Sequence, residues 1–222
     1  RGRTEVLSGL DGQWPVEESG IPDHPDVHLI YHPESVGQRA VTNELARISQ
    51  ARWVAKCDAH CAFGEGFDVI LMEDIQDDWT ILPRMHNLHA FDWECDTCGS
   101  RKYQGQTPEV CWEENCDGNS FHKEMVWQPR KSPVSTAMRF DDTGHFQYWS
   151  GFKKRQKNPE FSEMDGEIVE TMSILGAFWM LSRERYFRLN ICDENHGSWG
   201  QQGTEVALKT WLSGGRLMCA KR

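Results

Sequence analysis

Residues 53–67, WVAKCDAHCAFGEGF, run from a short apolar segment into an aspartate, a histidine and two cysteines, then into a pair of glycines. The segment RWVAKC has the length and bounding residues of a short buried strand, which puts Asp58 and His60 just past its carboxyl end. Upstream, SVGQRAVTNELARISQA carries Val41, Leu45 and Ile48 at helical spacing, with Ser35 placed to help cap the start. Downstream, GFDVILMEDIQ reads as a second helix, and the earlier TEVLSGLDG reads as a strand ending at Asp11 and Gly12. Strands alternating with helices point to an α/β layer with a mostly parallel sheet flanked by helices. Ligands of such sheets bind beyond the carboxyl ends of the strands, where Asp11 and Asp58 both fall.

The chain has 222 residues, enough to bury a sizeable core, and its apolar and charged fractions are those of a soluble globular protein. No apolar run approaches the ~20 residues of a membrane span and no charged-then-apolar leader opens the sequence, so a cytoplasmic location is expected. A formal charge of −10 argues against a general electrostatic grip on nucleic acid. The local basic run FKKRQK (152–157) reads as a solvated loop.

Four of the eight cysteines fall in one stretch, WECDTCGSRKYQGQTPEVCWEENCDG. Cys95 and Cys98 form one knuckle, Cys111 and Cys116 a second, with a short polar hairpin between them and Gly99 fitting the first tight turn. Two close pairs at this separation suit tetrahedral Zn²⁺, because each turn presents two thiolates and the intervening loop lets the pairs face each other. Using all four thiolates leaves no open coordination position, so the expected role is structural. Two disulfides are the competing reading and would require an oxidising compartment.

Beyond this island, KEMVWQPR and HFQYWSGF read as extended segments of a hairpin or sheet extension. An apolar run through Gly176 leads into SRERYFRL. In the last helix Val206, Ala207, Leu208, Trp211 and Leu212 are expected to form the buried face, with Gly214 and Gly215 as its stop. His24, His28, His32, His86 and His89 are scattered and give no ligand face. Cys57 and Cys61 read as small buried thiols.

Three segments now carry a resemblance. DAHC at the end of a strand resembles the Asp-x-His element of family-2-like glycosyltransferases of the GT-A fold, closest to the polypeptide N-acetylgalactosaminyltransferases, which have Asp-Ser-His-Cys there. SWGQQGTEVALKTWLSGG resembles the Trp-Gly-Gly-Glu-Asn-x-Glu helix start of the same enzymes, and ILGAFWMLSRERYFRL is similar to their Gly-Gly-x-Phe strand and following helix. The resemblance implies a metal-dependent enzyme that moves a hexosyl or N-acetylhexosaminyl group from a UDP-sugar or other nucleotide-sugar to an acceptor. Asp58 and His60 would hold Mn²⁺ or Mg²⁺ against the donor diphosphate, whose negative charge grows as the sugar bond breaks. Asp11 would hydrogen-bond the uracil or ribose. Trp199 and Gly200 would line the donor and acceptor mouth, and Glu205 would touch sugar hydroxyls or the acceptor.

The chain departs from that pattern at Gln202 and Gly203, where the family has an acidic residue followed by Asp or Asn. Loss of that carboxylate fits retention of anomeric configuration better than inversion. The chain also opens where the family's second strand would lie and stops before a downstream metal-binding histidine. The expected organisation is one catalytic domain in three parts: a nucleotide-sugar-binding half over 1–92, a zinc-ribbon insertion over 93–122, and an acceptor-side half over 123–222. The acceptor itself, whether protein, glycan or modified nucleic acid, is not specified by these residues. A second function class is a non-catalytic binding module, in which a degenerate transferase core supports a zinc ribbon that recognises protein or nucleic acid.

Overall fold

The apolar segment that opens the quoted stretch is a strand at the edge of the central sheet. A computed structural model describes residues 4–13, 24–152, 154, 157 and 166–221. The chain divides into two units, Arg1–Arg84 with Ser135–Arg222, and Met85–Val134. Of the basic run 152–157, positions 153, 155 and 156 lie outside the described residues.

In the first unit, β1 (Val6–Asp11) pairs in parallel with β2 (Val27–His32), Asp11 opposite His32. Helix α1 (Gln38–Ile48) packs on β1, and Gly9 makes the approach possible: a Cβ there would fall 2.1 Å from Val41 Cγ1. The helix buries Arg39, Val41, Asn43 and Ala46, whereas Ile48 is exposed. Ser35 does not cap it. Gly37 is the N-cap with no side-chain bond, and the Ser35 hydroxyl donates instead to Asp11 Oδ2 at 2.8 Å.

The five-stranded sheet is built from β3 (Trp53–Cys57), β4 (Trp79–Pro83), β10 (Ile168–Glu170), β11 (Phe178–Ser182) and β12 (Arg216–Ala220), in the order β10-β12-β4-β11-β3. Only β12 and β4 run parallel; β10 to β12, β11 to β4 and β11 to β3 are antiparallel. The expectation of a mostly parallel sheet is therefore corrected. The βαβα order of the first 80 residues says nothing about the strands supplied by the second half of the chain, and β11 enters between β3 and β4 running against both.

Both faces of this sheet are covered, which is why β4 and β11 read as continuous apolar runs. Ile81, Trp179, Leu181 and Leu217 are buried, each contributing about 1.5–3 kcal/mol through removal from water. Trp179 stacks on Tyr186 of α3 (Arg183–Arg188), with ring centroids 6.0 Å apart. Ser182 starts α3 by accepting the Arg185 amide. Helix α2 (Phe67–Asp74) follows β3, and α4 (Gln202–Leu212) precedes β12. The buried face of α4 is Gln202, Gly203, Glu205, Val206, Ala207 and Thr210; Leu208 and Leu212 face solvent, so the expected apolar face is shifted. A short hairpin, β8 (Met138–Phe140) with β9 (Phe146–Tyr148), completes this unit.

The second unit is a three-stranded sheet in the order β6-β5-β7, from β5 (Met85–Cys95), β6 (Arg101–Tyr103) and β7 (Phe121–Ser135). Gly99, at φ 70, lets its amide reach Cys95 O at 2.8 Å and close the first knuckle. Among the described residues no helix is long and apolar enough to cross a membrane.

Candidate functional site

Asp58 is the first residue beyond β3, and its amide donates to Ala177 O at 2.9 Å. One carboxylate oxygen is paired with Lys56 Nζ, which also donates to Gly176 O at 2.8 Å. The other faces His60 Nε2 at 3.7 Å. His60 stands in the open, its side chain 81% exposed. The loop behind it is held by rings: Phe63 stacks on Phe67 at 4.2 Å, and both meet Phe178 edge-on. Cys57 is exposed and Cys61 half-buried, so neither is the buried thiol expected. Desolvation pushes both thiols up from their ordinary range.

Glu205, in the first turn of α4, is buried and its oxygens are fully engaged. Arg39 donates to Oε2 from Nε at 3.2 Å and Nη2 at 3.0 Å; Asp193 N and Lys209 Nζ donate to Oε1 at 2.9 and 2.7 Å. The side chains of Arg39 and Glu205 are 1% and 4% exposed. The same guanidinium donates to Gly197 O at 3.2 Å and Gly200 O at 2.7 Å, the two carbonyls that bracket Trp199. Trp199 itself is 79% exposed, on a loop that turns through left-handed conformations at Gly197, Gly200 and Gln201. Arg39 thus fixes the base of the loop whose tip is a free indole.

Asp11 lies at the carboxyl end of β1 but on a different sheet from Asp58. It accepts from Ser35 Oγ, Val36 N at 2.6 Å and Gly37 N at 2.9 Å. Against the desolvation it suffers, these donors and nearby His32 hold its carboxyl below the usual range. Gly37 in turn abuts Ser198, since a Cβ on it would fall 2.5 Å from Ser198 Cβ. Asp11, Trp199, Gly200 and Glu205 are therefore linked through the start of α1. Asp58 joins them through Gly176, which lies against the start of α4: a Cβ on it would be 3.2 Å from Gly203 N.

Gly203 has a steric reason for being glycine. A Cβ there would meet Ile174 O at 2.2 Å and Gly176 N at 2.9 Å, so no larger residue fits without moving backbone. Gln202 is buried, donates to Cys192 Sγ, and its Oε1 has no hydrogen-bond partner among the described residues.

The four thiols of the second unit form a group that could hold a metal ion, all ligand atoms lying within 4.8 Å of one another. Cys95 and Cys116 are 3.7 Å apart at sulfur, as are Cys98 and Cys111, and none is disulfide-bonded. Hydrogen bonds from Ser100 bring Cys98 down to about 7. Cys116, despite an N–H from Gly118, is pushed up to about 12 by burial and the neighbouring thiols. Gly118 leaves room for them, since a Cβ would fall 2.7 Å from Cys95 Sγ. Glu94, His122 and Glu124 also approach one another, but Arg101 already pairs with both glutamates and His122 with Asp96. His86 bonds Arg130 O and His89 bonds Asp92.

Sequence reasoning missed Lys56 and Arg39. Lys56 had a signal: a lysine inside an apolar strand, two residues before Asp58 and so on the same face. Arg39 had none, because a basic residue in the first turn of a helix usually faces water.

No protein-family profile and no curated protein matches the chain by sequence. Among solved structures, it is similar to a crystal structure of GalNAc-T7 with UDP, GalNAc and Mn²⁺. The TM-score is 0.61 at 14% identity, covering 98% of this chain and 36% of that one. The fold is glycosyltransferase-like, and the chain spans about a third of the length of that relative.

Proposed function

We propose that this chain is the core of a metal-dependent glycosyltransferase that takes its sugar from a nucleotide-sugar donor. The observation that carries this reading is the Asp58–His60 pair at the end of β3, on a glycosyltransferase-like fold. The residues suit a hard divalent ion such as Mn²⁺ or Mg²⁺: one Asp58 oxygen is clear of Lys56, and it faces a ring nitrogen of His60 across a gap that one ion could bridge. Such an ion, when bound, neutralises charge on the leaving diphosphate. Lys56 fixes the Asp58 carboxylate by tying it to Gly176 O. Trp199 offers its face to the sugar or acceptor, and Gly200 holds that indole in place through Arg39. Asp11 shapes the nucleotide side by ordering Ser35–Gly37 and presents its remaining lone pairs to the ribose or base. Glu205 acts as a positioning residue, since its carboxylate is consumed by Arg39, Lys209 and Asp193.

With Glu205 buried and Gln202 turned into the core, the start of α4 presents no free carboxylate to take an acceptor proton, which favours retention. The four cysteines would hold Zn²⁺: a tetrahedron with ~2.3 Å Zn–S bonds has edges of about 3.8 Å, close to the 3.7 Å separations found. The ribbon is then a rigid element for choosing the acceptor. A second reading, a binding module on a degenerate core, draws on Asp58 being already paired with Lys56. Thermal-shift measurements with UDP- and GDP-sugars, with and without Mn²⁺, separate the two. Mn²⁺-dependent stabilisation by a donor, followed by release of free nucleotide, supports the transferase; no response to any donor supports the module.

A further inference from the structure

A second cleft, of about 510 Å³, lies among Arg52 before β3, Asp77 and Asp78 before β4, and the β11–α3 junction with Arg183, Arg185 and Arg188. Arg52 and Asp58 lie at opposite ends of β3, about 20 Å apart at ~3.3 Å per residue, so this cleft is at the far end of the strand from the candidate donor site. Two of its four guanidiniums are satisfied by carboxylates: Arg52 donates to Asp77 at 2.8 Å and Arg188 to Glu184 at 3.2 Å. Arg183 donates to the carbonyls of Ala46 and Arg47 at the end of α1.

Arg185 is different. It is 3% exposed, its Nη2 donates to Ser213 Oγ at 3.0 Å, and its Nε has no hydrogen-bond partner among the described residues. Asp78 acts on it through space without forming an ion pair. The guanidinium has a place made for it, because a Cβ on Gly215 would fall 2.2 Å from Nη2. A buried guanidinium with one N–H left without an acceptor and no direct ion pair is costly unless something supplies them. Planar guanidiniums recognise phosphate oxygens through paired N–H bonds, and two further arginines stand at the exposed rim.

We propose that this cleft binds a phosphate-class oxyanion, anchored by Arg185, with the exposed Arg52 and Arg188 turning from Asp77 and Glu184 to meet it at the rim. The occupant is free phosphate or the phosphoryl end of a nucleotide. The site requires neither metal nor sugar donor and stands apart from the transferase reading.

The test is calorimetric titration of the protein, without added divalent metal, with inorganic phosphate and, separately, with UMP, at ionic strength fixed by NaCl. Saturable phosphate binding with a Kd of about 1 mM or tighter is expected. A UMP affinity similar to phosphate identifies free phosphate as sufficient; one about tenfold tighter identifies the nucleotide phosphoryl group. Arg185→Met is expected to abolish binding. Should that variant fold poorly, the exposed pair Arg52→Gln with Arg188→Gln is expected to weaken binding at least about fivefold. Asp58→Asn is expected to keep it. No saturation by either ligand, undiminished binding in the arginine variants, or loss of binding in Asp58→Asn overturns the proposal.

Discussion

The carboxylate of Asp58 is shared between a lysine and an open histidine, and that sharing sets the response to substitution. Asp58→Asn and His60→Ala are expected each to lower Mn²⁺-dependent donor affinity at least about tenfold, or ~1.4 kcal/mol, whereas His89→Ala, bonded to Asp92 in the other unit, changes nothing. Isothermal titration in the presence of Mn²⁺ checks it; equal effects from all three would make the strand-end pair an ordinary loop. Glu205 behaves otherwise. Its charge neutralises a fully buried Arg39, and losing one partner of such a pair costs about 3–5 kcal/mol. Glu205→Gln should therefore lower the urea midpoint markedly. A midpoint unchanged, with turnover lost, would move Glu205 from holding the Trp199 loop to contacting substrate.

At the scale of elements, the start of α4 rests on the Ile174–Gly176 strap with no room for a side chain. Gly203→Ala should cost about 1–3 kcal/mol through overpacking against backbone, and because Gly176 O also receives Lys56, donor affinity should fall with it. Chemical denaturation and donor titration of one preparation test both halves; stability lost with normal donor affinity would uncouple the strap from Asp58. Much of this element structure was legible. β1, α1, β3 and α2 announced themselves by apolar pattern and by turn residues such as Gly12 and Gly66, whereas the run from β11 into α3 was readable as strand and helix only through the family resemblance. Strand direction did not, because it depends on partners more than a hundred residues away: Phe178 pairs with Cys57. Strand β2 was hidden by its polar alternation, HLIYH, and the inward face of α4 by the fact that Gln202, Glu205 and Thr210, polar residues, are the buried ones. The candidate site was legible as residue types at strand ends, but not as the Arg39 clamp, which joins positions 166 residues apart.

For the whole molecule, the division into two units predicts separable responses to metal removal. A strong chelator should strip the Cys95–Cys98–Cys111–Cys116 group and expose Met85–Val134 to protease, while Arg1–Arg84 with Ser135–Arg222 keeps one cooperative melt. If the four thiolates hold zinc as proposed, protons compete with it, so its affinity should fall as pH is lowered, more steeply once Cys98 also protonates below about 7. Limited proteolysis with mass spectrometry, and chelator competition at pH 6, 7 and 8, read the two effects; a single melt lost together with the metal would contradict the division. The place of β12 in the large sheet has a consequence of another kind. Arg216–Ala220 comes after every other strand of that sheet, yet sits between β10 and β4 and is the partner of both. On the ribosome, β4 and β11 can meet while β10 waits unpaired, its ladder groups bare, until some fifty further residues have been made. Synthesis at ~5–20 residues per second separates the two strands by several seconds, an interval in which the bare edge can pair with a neighbouring chain.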